Sequence, residues 1–529
     1  MSAAPAEAVP SPAAGITQAL AHYQEGRFAD AETRCTAILA AEPEHFDALH
    51  LLGLVRHRQK RNAEALQLVG AVLKRAPRSA EVSSNYGLIV AALGYHDEAL
   101  GYFDHALACD AADLYARKNR AASLKQLSRH AQALTAYEAV LEVKSDDIDA
   151  LNECGGLQAR LGHAAAAVDC YDRALALAPS VAELHINKGM ALSGLNRFDE
   201  ALQSFAAAAA IAPDRAEAHH KASLIRLRLG DFKNGWRDYE WRWRTARPPQ
   251  SRQVAAPLWR GDTSLKGKTI FLLSEQGLGD TIQFLRYAPL VAARGATVLL
   301  DVPPELKTMA ARLSGVAAVF AHGEPAPSAD YQCPLLSLPL AFQTEPSTIP
   351  SDVPYIRAGE PELAKWRARL PNTGRPLVGL CWAGSATHLN DHNRSIALER
   401  FAALLAVPGV DFVSVQKDVS AGEAARLASL GVAQLGRDFA DFADTAGALA
   451  LLDLLISVDT SVAHLAGALA KPVALLLPFS PDWRWMQERT DSPWYPTFRL
   501  FRQSRSGDWD SPLDRLRGEL QDAAATPKR

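Results

Sequence analysis

The chain has 529 residues, of which 48% are hydrophobic and 22% charged, and its formal net charge is −3. A prior of roughly 150 residues per domain gives it about three or four domains, and the composition is that of a packed globular protein. The near balance of charge excludes bulk attraction to nucleic acid or an anionic membrane, and no run of about 18 uninterrupted apolar residues exists to span a bilayer.

Residues 1–15 are rich in Ala and Pro and lack a cationic start followed by an apolar core, so they read as a disordered tail and not as a signal peptide. The six cysteines (35, 109, 154, 170, 333 and 381) contain no C-x-x-C pair. That scatter suits a reducing compartment and argues against structural zinc or a disulfide framework; the expected address is the cytoplasm.

From residue 16 to 245 the chain repeats itself every 34 residues. Pro43, Pro77, Pro179 and Pro213 lie on one lattice, with Ala111 and Ser145 on the two remaining nodes. Ten residues after successive nodes stand Gly53, Gly87, Ala121, Gly155 and Gly189; twenty-two after them stand Ala65, Ala99, Ala133, Ala167 and Ala201. Small residues at two fixed phases predict helical hairpins whose backbones approach closely. In the unit Ser79–Cys109, Gly94-Tyr95 turns the chain between two helices. The pattern resembles the tetratricopeptide repeat, which implies an all-α superhelix with a concave groove for a protein or peptide partner. Asn85, Asn119 and Asn187 share a phase. They read either as a ladder gripping a bound peptide backbone, since a carboxamide both donates and accepts, or as residues that simply suit this position; Glu153 and Lys221 interrupt the series.

Residues 246–265 form a Trp/Pro-rich junction. Trp236, Trp241, Trp243 and Trp259 lie within 24 residues at and just ahead of it, and they read as the surface docking the repeats onto the next domain, or as an aromatic platform for a sugar or peptide.

At Lys268 the period changes. Thr269–Ser274 is a short apolar run suited to a buried parallel strand, followed by the turn Gly277-Leu-Gly279-Asp280, a helix over 281–294, a strand over 297–301 and a helix over 305–313. The pattern restarts near Arg375: strands over 377–382, 411–416, 454–457 and 473–477 alternate with helices over 398–406, 422–430, 441–452 and 460–470. Strand–helix alternation predicts doubly wound parallel sheets. They fall into two Rossmann-like lobes, residues 266–374 and 375–525, facing each other across a cleft.

Two segments carry a family resemblance. Ser274-Glu-Gln-Gly-Leu-Gly-Asp280 resembles the G-D turn that opens the heptosyltransferase-like family (glycosyltransferase family 9). Asp459-Thr-Ser-Val-Ala-His464-Leu-Ala-Gly-Ala-Leu-Ala-Lys-Pro472 resembles that family's D-T-x-x-x-H-L-A-x-A-L-x-x-P motif. The resemblance implies a GT-B fold. The whole chain is similar to bacterial tetratricopeptide–glycosyltransferase fusions, some of which glycosylate proteins, flagellin among them. The implied activity is transfer of a sugar from a nucleotide-sugar co-substrate to an acceptor, inverting and without a metal.

Such a transfer needs a base, donors for the departing diphosphate and a nucleoside pocket. Asp280, at the strand-to-helix handover, is the candidate base, with Gly277 and Gly279 leaving room for substrate; the alternative is that it only caps its helix. Asp459, Thr460 and Ser461 open a helix whose free N–H groups suit a phosphate, and His464 on its first turn is the second catalytic candidate. Trp382, Gly384 and Ser385 form another donor nest, and Arg394 is a diphosphate clamp or a loop arginine. Arg394 stands in Arg-Ser-Ile, where heptose-using relatives carry K-x-W, so heptose is not the presumed donor. Gln416 and Lys417 end a further strand near the nucleotide. Pro481-Asp-Trp483-Arg484-Trp485 either floors the donor pocket or returns the C-terminal segment to the first lobe. No D-x-D pair at a strand end and no His/Cys/carboxylate spacing marks a metal site, and the glycine turn lacks the dinucleotide fingerprint. Two other functions compete: a non-catalytic scaffold with a degenerate second half, and a heptosyltransferase-like enzyme of envelope glycan assembly.

Overall fold

The structure, a computed structural model, describes residues 12–385 and 390–525. Residues 1–11 of the expected tail lie outside the described residues. Residues 12–15 already belong to a helix: Pro12 suits a first helical position, and Ala19 anchors the helix in a cluster with Cys35, Leu51 and Leu52. The chain forms two compact units that divide between Leu195 and Asn196, fifty residues ahead of the expected boundary.

The first unit is a series of helical hairpins: α1 (Pro12–Gln24), α2 (Phe28–Ala41), α3 (Phe46–Arg58), α4 (Asn62–Arg75), α5 (Ala80–Ala92), α6 (His96–Cys109), α7 (Leu114–Gln126), α8 (His130–Val143), α9 (Ile148–Arg160), α10 (Ala164–Leu177) and α11 (Ala182–Gly194). The lattice residues make the close contacts. Ala65, Ala99, Ala133 and Ala167 are fully buried. A Cβ on Gly87 would lie 2.9 Å from the Phe103 ring, and one on Gly155 would lie 2.7 Å from the Tyr171 ring. Two further phases of the lattice emerge. Two residues after the node, His45 Nδ1, Ser79 Oγ, Asp113 Oδ1 and Asp147 Oδ1 each accept a hydrogen bond from the backbone N–H three residues on. These N-caps open the helices even where Ala111 or Ser145 replaces the nodal proline. Between paired helices, Gly26, Lys60, Gly94, Ser128 and Gly162 all take positive φ, the left-handed turn that ends a helix.

Gly155→Ala is expected to destabilise the first unit by about 1–3 kcal/mol through overpacking against Tyr171. Gly101→Ala, on a helix position with no atom within 4 Å, is expected to stabilise it by about 0.5–1 kcal/mol. Denaturant melts of the two variants check the pair, and equal shifts would remove the packing account.

The second unit begins with α12 (Phe198–Ile211), α13 (Ala216–Leu229) and α14 (Phe232–Tyr239) and continues into two parallel sheets. The first lobe comprises β1 (Thr269–Leu273), α15 (Leu278–Phe284), α16 (Ala288–Ala293), β2 (Thr297–Val302), α17 (Lys307–Ala310), β3 (Val316–Ala321), β4 (Tyr331–Pro334), α18 (Leu338–Ala341) and α19 (Glu360–Arg367), with strand order β3-β2-β1-β4. The second comprises β5 (Leu377–Cys381), α20 (Asp391–Arg394), α21 (Ala402–Leu405), β6 (Asp411–Ser414), α22 (Ala421–Ser429), β7 (Ala433–Gln434), α23 (Phe442–Ala450), β8 (Leu454–Val458), α24 (Ser461–Ala468), β9 (Val473–Leu477), β10 (Phe498–Arg502) and α25 (Asp510–Ala525), ordered β10-β9-β8-β5-β6-β7. The single helix expected over 281–294 is broken by a 3-10 turn, after which Pro289 sits in the first turn of α16.

One hydrophobic core joins the last repeat to both lobes. Trp236 meets Phe232, Tyr239, Phe284, Trp483 and Trp494 edge-on, with centroids 5.2–6.5 Å apart, and Trp259 is buried in the same cluster. The segment Trp483–Tyr495 thus packs on the first lobe. The C-terminal helix does not follow it: Leu513, Leu516 and Leu520 of α25 enter the second lobe's own core. The six cysteines are unpaired. Among the described residues no helix is long and apolar enough to cross a membrane.

Candidate functional site

The site is built where β1 and β8 end. After β1 the chain turns at Gly277, whose backbone N–H donates to Asp280 Oδ2 at 3.0 Å. That bond closes the first turn of α15, so the capping reading of Asp280 describes one of its two oxygens. The other oxygen, Oδ1, accepts from Nη2 of Arg484, 204 residues away. The Asp280 side chain keeps 22% exposure.

Arg484 is itself held from three sides. Its Nε donates to Gln283 Oε1 at 2.6 Å, its Nη1 to Asp482 Oδ1 at 2.7 Å, and its guanidinium lies 4.4 Å from the Trp483 ring centroid. Burial works against its charge, but Asp482 and Asp280 outweigh burial and push its proton affinity above the ordinary guanidinium range. Tyr239, from the last repeat helix, accepts from Gln276 Nε2 at 3.0 Å, and burial pushes its phenol up to about 12.

From the second lobe, α15 receives α24 directly. A Cβ on Gly279 would fall 2.9 Å from His464 Cδ2. The space that the glycine leaves is therefore filled by the imidazole and is not open to substrate. His464 is buried; its Nδ1 is 3.0 Å from the Tyr495 hydroxyl, its Nε2 is 3.7 Å from Asp459 Oδ1, and it stacks on Trp485. Trp485 Nε1 donates to Asp459 Oδ2 at 2.8 Å. Burial would raise the Asp459 carboxyl, yet His464 and the Trp485 indole hold it below the usual carboxylate range. The expectation that His464 reaches a diphosphate or sugar is corrected: the ring is enclosed and orients Asp459.

The remaining candidates separate by access. Thr460 Oγ1 accepts from Ala463 N at 3.4 Å and caps α24, while Ser461 is half-buried at its first turn. Arg394 donates from Nε to Asp391 Oδ1 (3.1 Å) and from Nη1 to the Asp459 carbonyl (2.9 Å), which ties its loop to the start of α24. A Cβ on Gly384 would fall 2.4 Å from Arg394 Nη2. Lys417 and Ser385 are exposed. Trp382 is not available to a ligand: its indole is buried in the second lobe's core and donates to Glu423 at 2.8 Å. Gln416 is likewise committed, its Oε1 accepting from the backbone N–H groups of Trp382 and Ala383. No cluster of three or more metal-ligating side chains occurs among the described residues.

Sequence reasoning missed the two guanidinium contacts that knit this region. Arg484 is one. The other is Arg242, just past α14, whose Nη2 donates to Glu275 Oε1 at 3.1 Å and to Ser337 Oγ at 2.7 Å. Only the unusual P-D-W-R-W and W-R-W strings hint at them. Glu275 Oε2 is buried without a hydrogen-bond partner among the described residues. Burial pushes this carboxyl up to about 7, with Arg242 pulling the other way. A carboxyl raised on folding adds stability that is full below its unfolded value and is lost as pH rises through its folded one. The stability advantage of the unaltered chain over Glu275→Gln is therefore expected to shrink between pH 4.5 and about 7; unfolding free energies of both across that range check this, and a gap that widens with pH would contradict it.

In the first unit the three asparagines fare differently. Asn85 is buried and bonded to His50 Nε2 at 3.1 Å, so it offers nothing to a peptide. Asn187 donates to Asn152 Oδ1 at 2.9 Å. In both cases the partner lies 35 residues earlier, so these rungs tie neighbouring repeats together. Asn119 lies beside Tyr115, whose side chain is exposed. A hollow of about 350 Å³ opens at Asn152, Glu153, Tyr171, Asn187, Met190 and Gly194.

Comparison with known proteins agrees with the first half of this description. Residues 16–71, 63–113, 119–182 and 152–216 match the tetratricopeptide repeat family. Protein FlbA of Caulobacter vibrioides is 27% identical over 334 residues, covering 58% of this chain and 55% of the relative; the chain spans about half the length of that curated relative. The solved structure of pilF from Pseudomonas aeruginosa is similar over 40% of this chain and 95% of its own, at 19% identity and a TM-score of 0.36. That of PilW, a widely conserved type IV pilus biogenesis factor, is similar over 40% of this chain and 98% of its own, at 19% identity and a TM-score of 0.37. The chain is thus a tetratricopeptide-repeat protein in its N-terminal part, followed by a region of parallel sheets.

Proposed function

We propose that the chain is a glycosyltransferase of GT-B type that moves a sugar from a nucleotide-sugar donor to a protein acceptor held by its repeats. One observation carries the reading. Asp280, in the first turn of the helix that follows β1, is linked through the consecutive residues Arg484, which bonds it, and Trp485, which bonds Asp459, to the region where β8 hands over to α24, and open parallel sheets bind ligands at such strand ends. In the proposed reaction Asp280 removes the proton of the acceptor hydroxyl as its oxygen bonds to the anomeric carbon. The bond from that carbon to the diphosphate breaks, and its electron pair leaves with the diphosphate. The start of α24 at Ser461, with Thr460, Arg394 and exposed Lys417, supplies donors for the diphosphate. Asp459 and His464 act from behind, fixing this turn. On the acceptor side the hollow at Asn187 and Met190 supports a peptide-holding role for the repeats, and a flagellin-like protein is the acceptor that the resemblance to known fusions favours.

The test is a panel of UDP-, GDP-, CMP- and ADP-linked sugars incubated with the full chain, reading release of the nucleotide. Release from at least one donor, accelerated by a cellular protein fraction, is the expected result; no binding of any nucleotide by calorimetry would end the proposal. A second reading, a scaffold without catalysis, draws on the same geometry: both Asp280 oxygens are engaged and His464 is enclosed. Nucleotide binding without turnover would favour it.

A further inference from the structure

We infer that Arg484 is the positioning residue of this site, holding the Asp280 carboxylate in the orientation from which it accepts a proton. The inference rests on the glycosyltransferase reading and names a group that the motifs do not include.

The argument is geometric. A carboxylate on an exposed helix start would be free to rotate about its terminal bond, because such sp² torsions are broad. Here that rotation is stopped at two points, by the Gly277 N–H on Oδ2 and by Arg484 on Oδ1. The clamp is rigid because the guanidinium is fixed independently: Gln283 takes Nε, Asp482 takes Nη1 and Trp483 lies against its face. Only 8% of the Arg484 side chain is exposed, and Gln283 is fully buried. Three separate directions of bonding require the planar fork of arginine; an ammonium offers its charge but not this geometry. Two carboxylates share the single guanidinium, so Asp482 still balances it when Asp280 is engaged elsewhere in the reaction.

A residue that only glued the fold together would serve stability alone, and the test is chosen to separate the two roles. In the full chain, Arg484→Lys and Arg484→Gln are compared with the unaltered protein, using the panel sugar that it turns over fastest. Melting curves first establish the folded fraction of each variant. The expected result is a fall in kcat of about 10²-fold for both, the scale of a misplacement near 1 Å, with the donor KM little changed. A fall confined to kcat per folded molecule, with the donor KM unchanged, is a split that a merely structural role would not produce. Should Arg484→Gln fail to fold, Arg484→Lys carries the kcat comparison alone. Variants whose kcat per folded molecule matches the unaltered chain overturn the inference and leave the transferase reading standing. Failure of the unaltered chain to turn over any sugar of the panel overturns both.

Discussion

Asp280→Asn is expected to lower turnover by about 10²–10⁴-fold, the usual value of a positioned general base, while nucleoside diphosphate affinity stays close to that of the unaltered chain. The substitution is nearly isosteric. One amide oxygen remains; turned to the Gly277 N–H it keeps the cap of α15, and the amide nitrogen then faces Arg484 without accepting from it. The buried guanidinium loses one carboxylate but retains Asp482 at 2.7 Å, which limits the penalty of an uncompensated buried charge. What the amide cannot do is hold the acceptor's proton. Nucleotide release with saturating donor measures the effect, and calorimetry with UDP or GDP measures the binding. Turnover within tenfold of the unaltered chain would take Asp280 out of the chemistry and leave it a cap and ion-pair partner.

Trp236→Ala is expected to destabilise the second unit by about 3–5 kcal/mol, the cost of removing a buried tryptophan and leaving its cavity. The indole is 2% exposed and sits among five aromatic rings drawn from the last repeat, the first lobe and the segment after β9. Such edge-to-face pairs add about 0.5–1.5 kcal/mol each beyond burial, so the upper end of that range is the better expectation. Its indole N–H is buried without a partner among the described residues, so the loss is one of packing and not of hydrogen bonding. Urea unfolding should show the transition of the second unit shifted and that of the first unit in place. A shift below 1 kcal/mol would mean that the ring cluster is loosely packed.

The repeat half was legible because its packing writes itself into the sequence at a fixed period. Gly87 and Gly155 are small because Phe103 and Tyr171 fill the space beyond them. The caps at Ser79, Asp113 and Asp147 lie on the same lattice but are less legible, since Ser and Asp are as common in turns as at helix starts. In the sheets, the buried runs of β1, β5, β8 and β9 announce themselves as continuous apolar strings. β3, β4 and β10 do not. The first is alanine-rich and half-exposed, the second spans only Tyr331–Pro334, and the third carries Arg499 and Arg502 at a sheet edge. The site divides in the same way. Asp280 and the Asp459–His464 turn are local motifs and could be named. Arg484 could not be assigned, because its meaning lies in a contact 204 residues away. Trp382 and Gln416 misled for the converse reason: strand-end residues that suit a ligand equally suit a core and a turn.

The last repeat belongs to the same compact unit as the sheets, and this constrains how the protein is made. The first unit is complete once Leu195 has left the ribosome, and domains generally fold N-terminal first as they emerge. Phe232, Trp236 and Tyr239 must wait for Trp494, about 260 residues later, which at about 5–20 residues per second is roughly 13–50 s of synthesis. Throughout that interval a nascent chain presents an unsheltered aromatic stripe immediately behind a finished helical array, the kind of surface that chaperones capture.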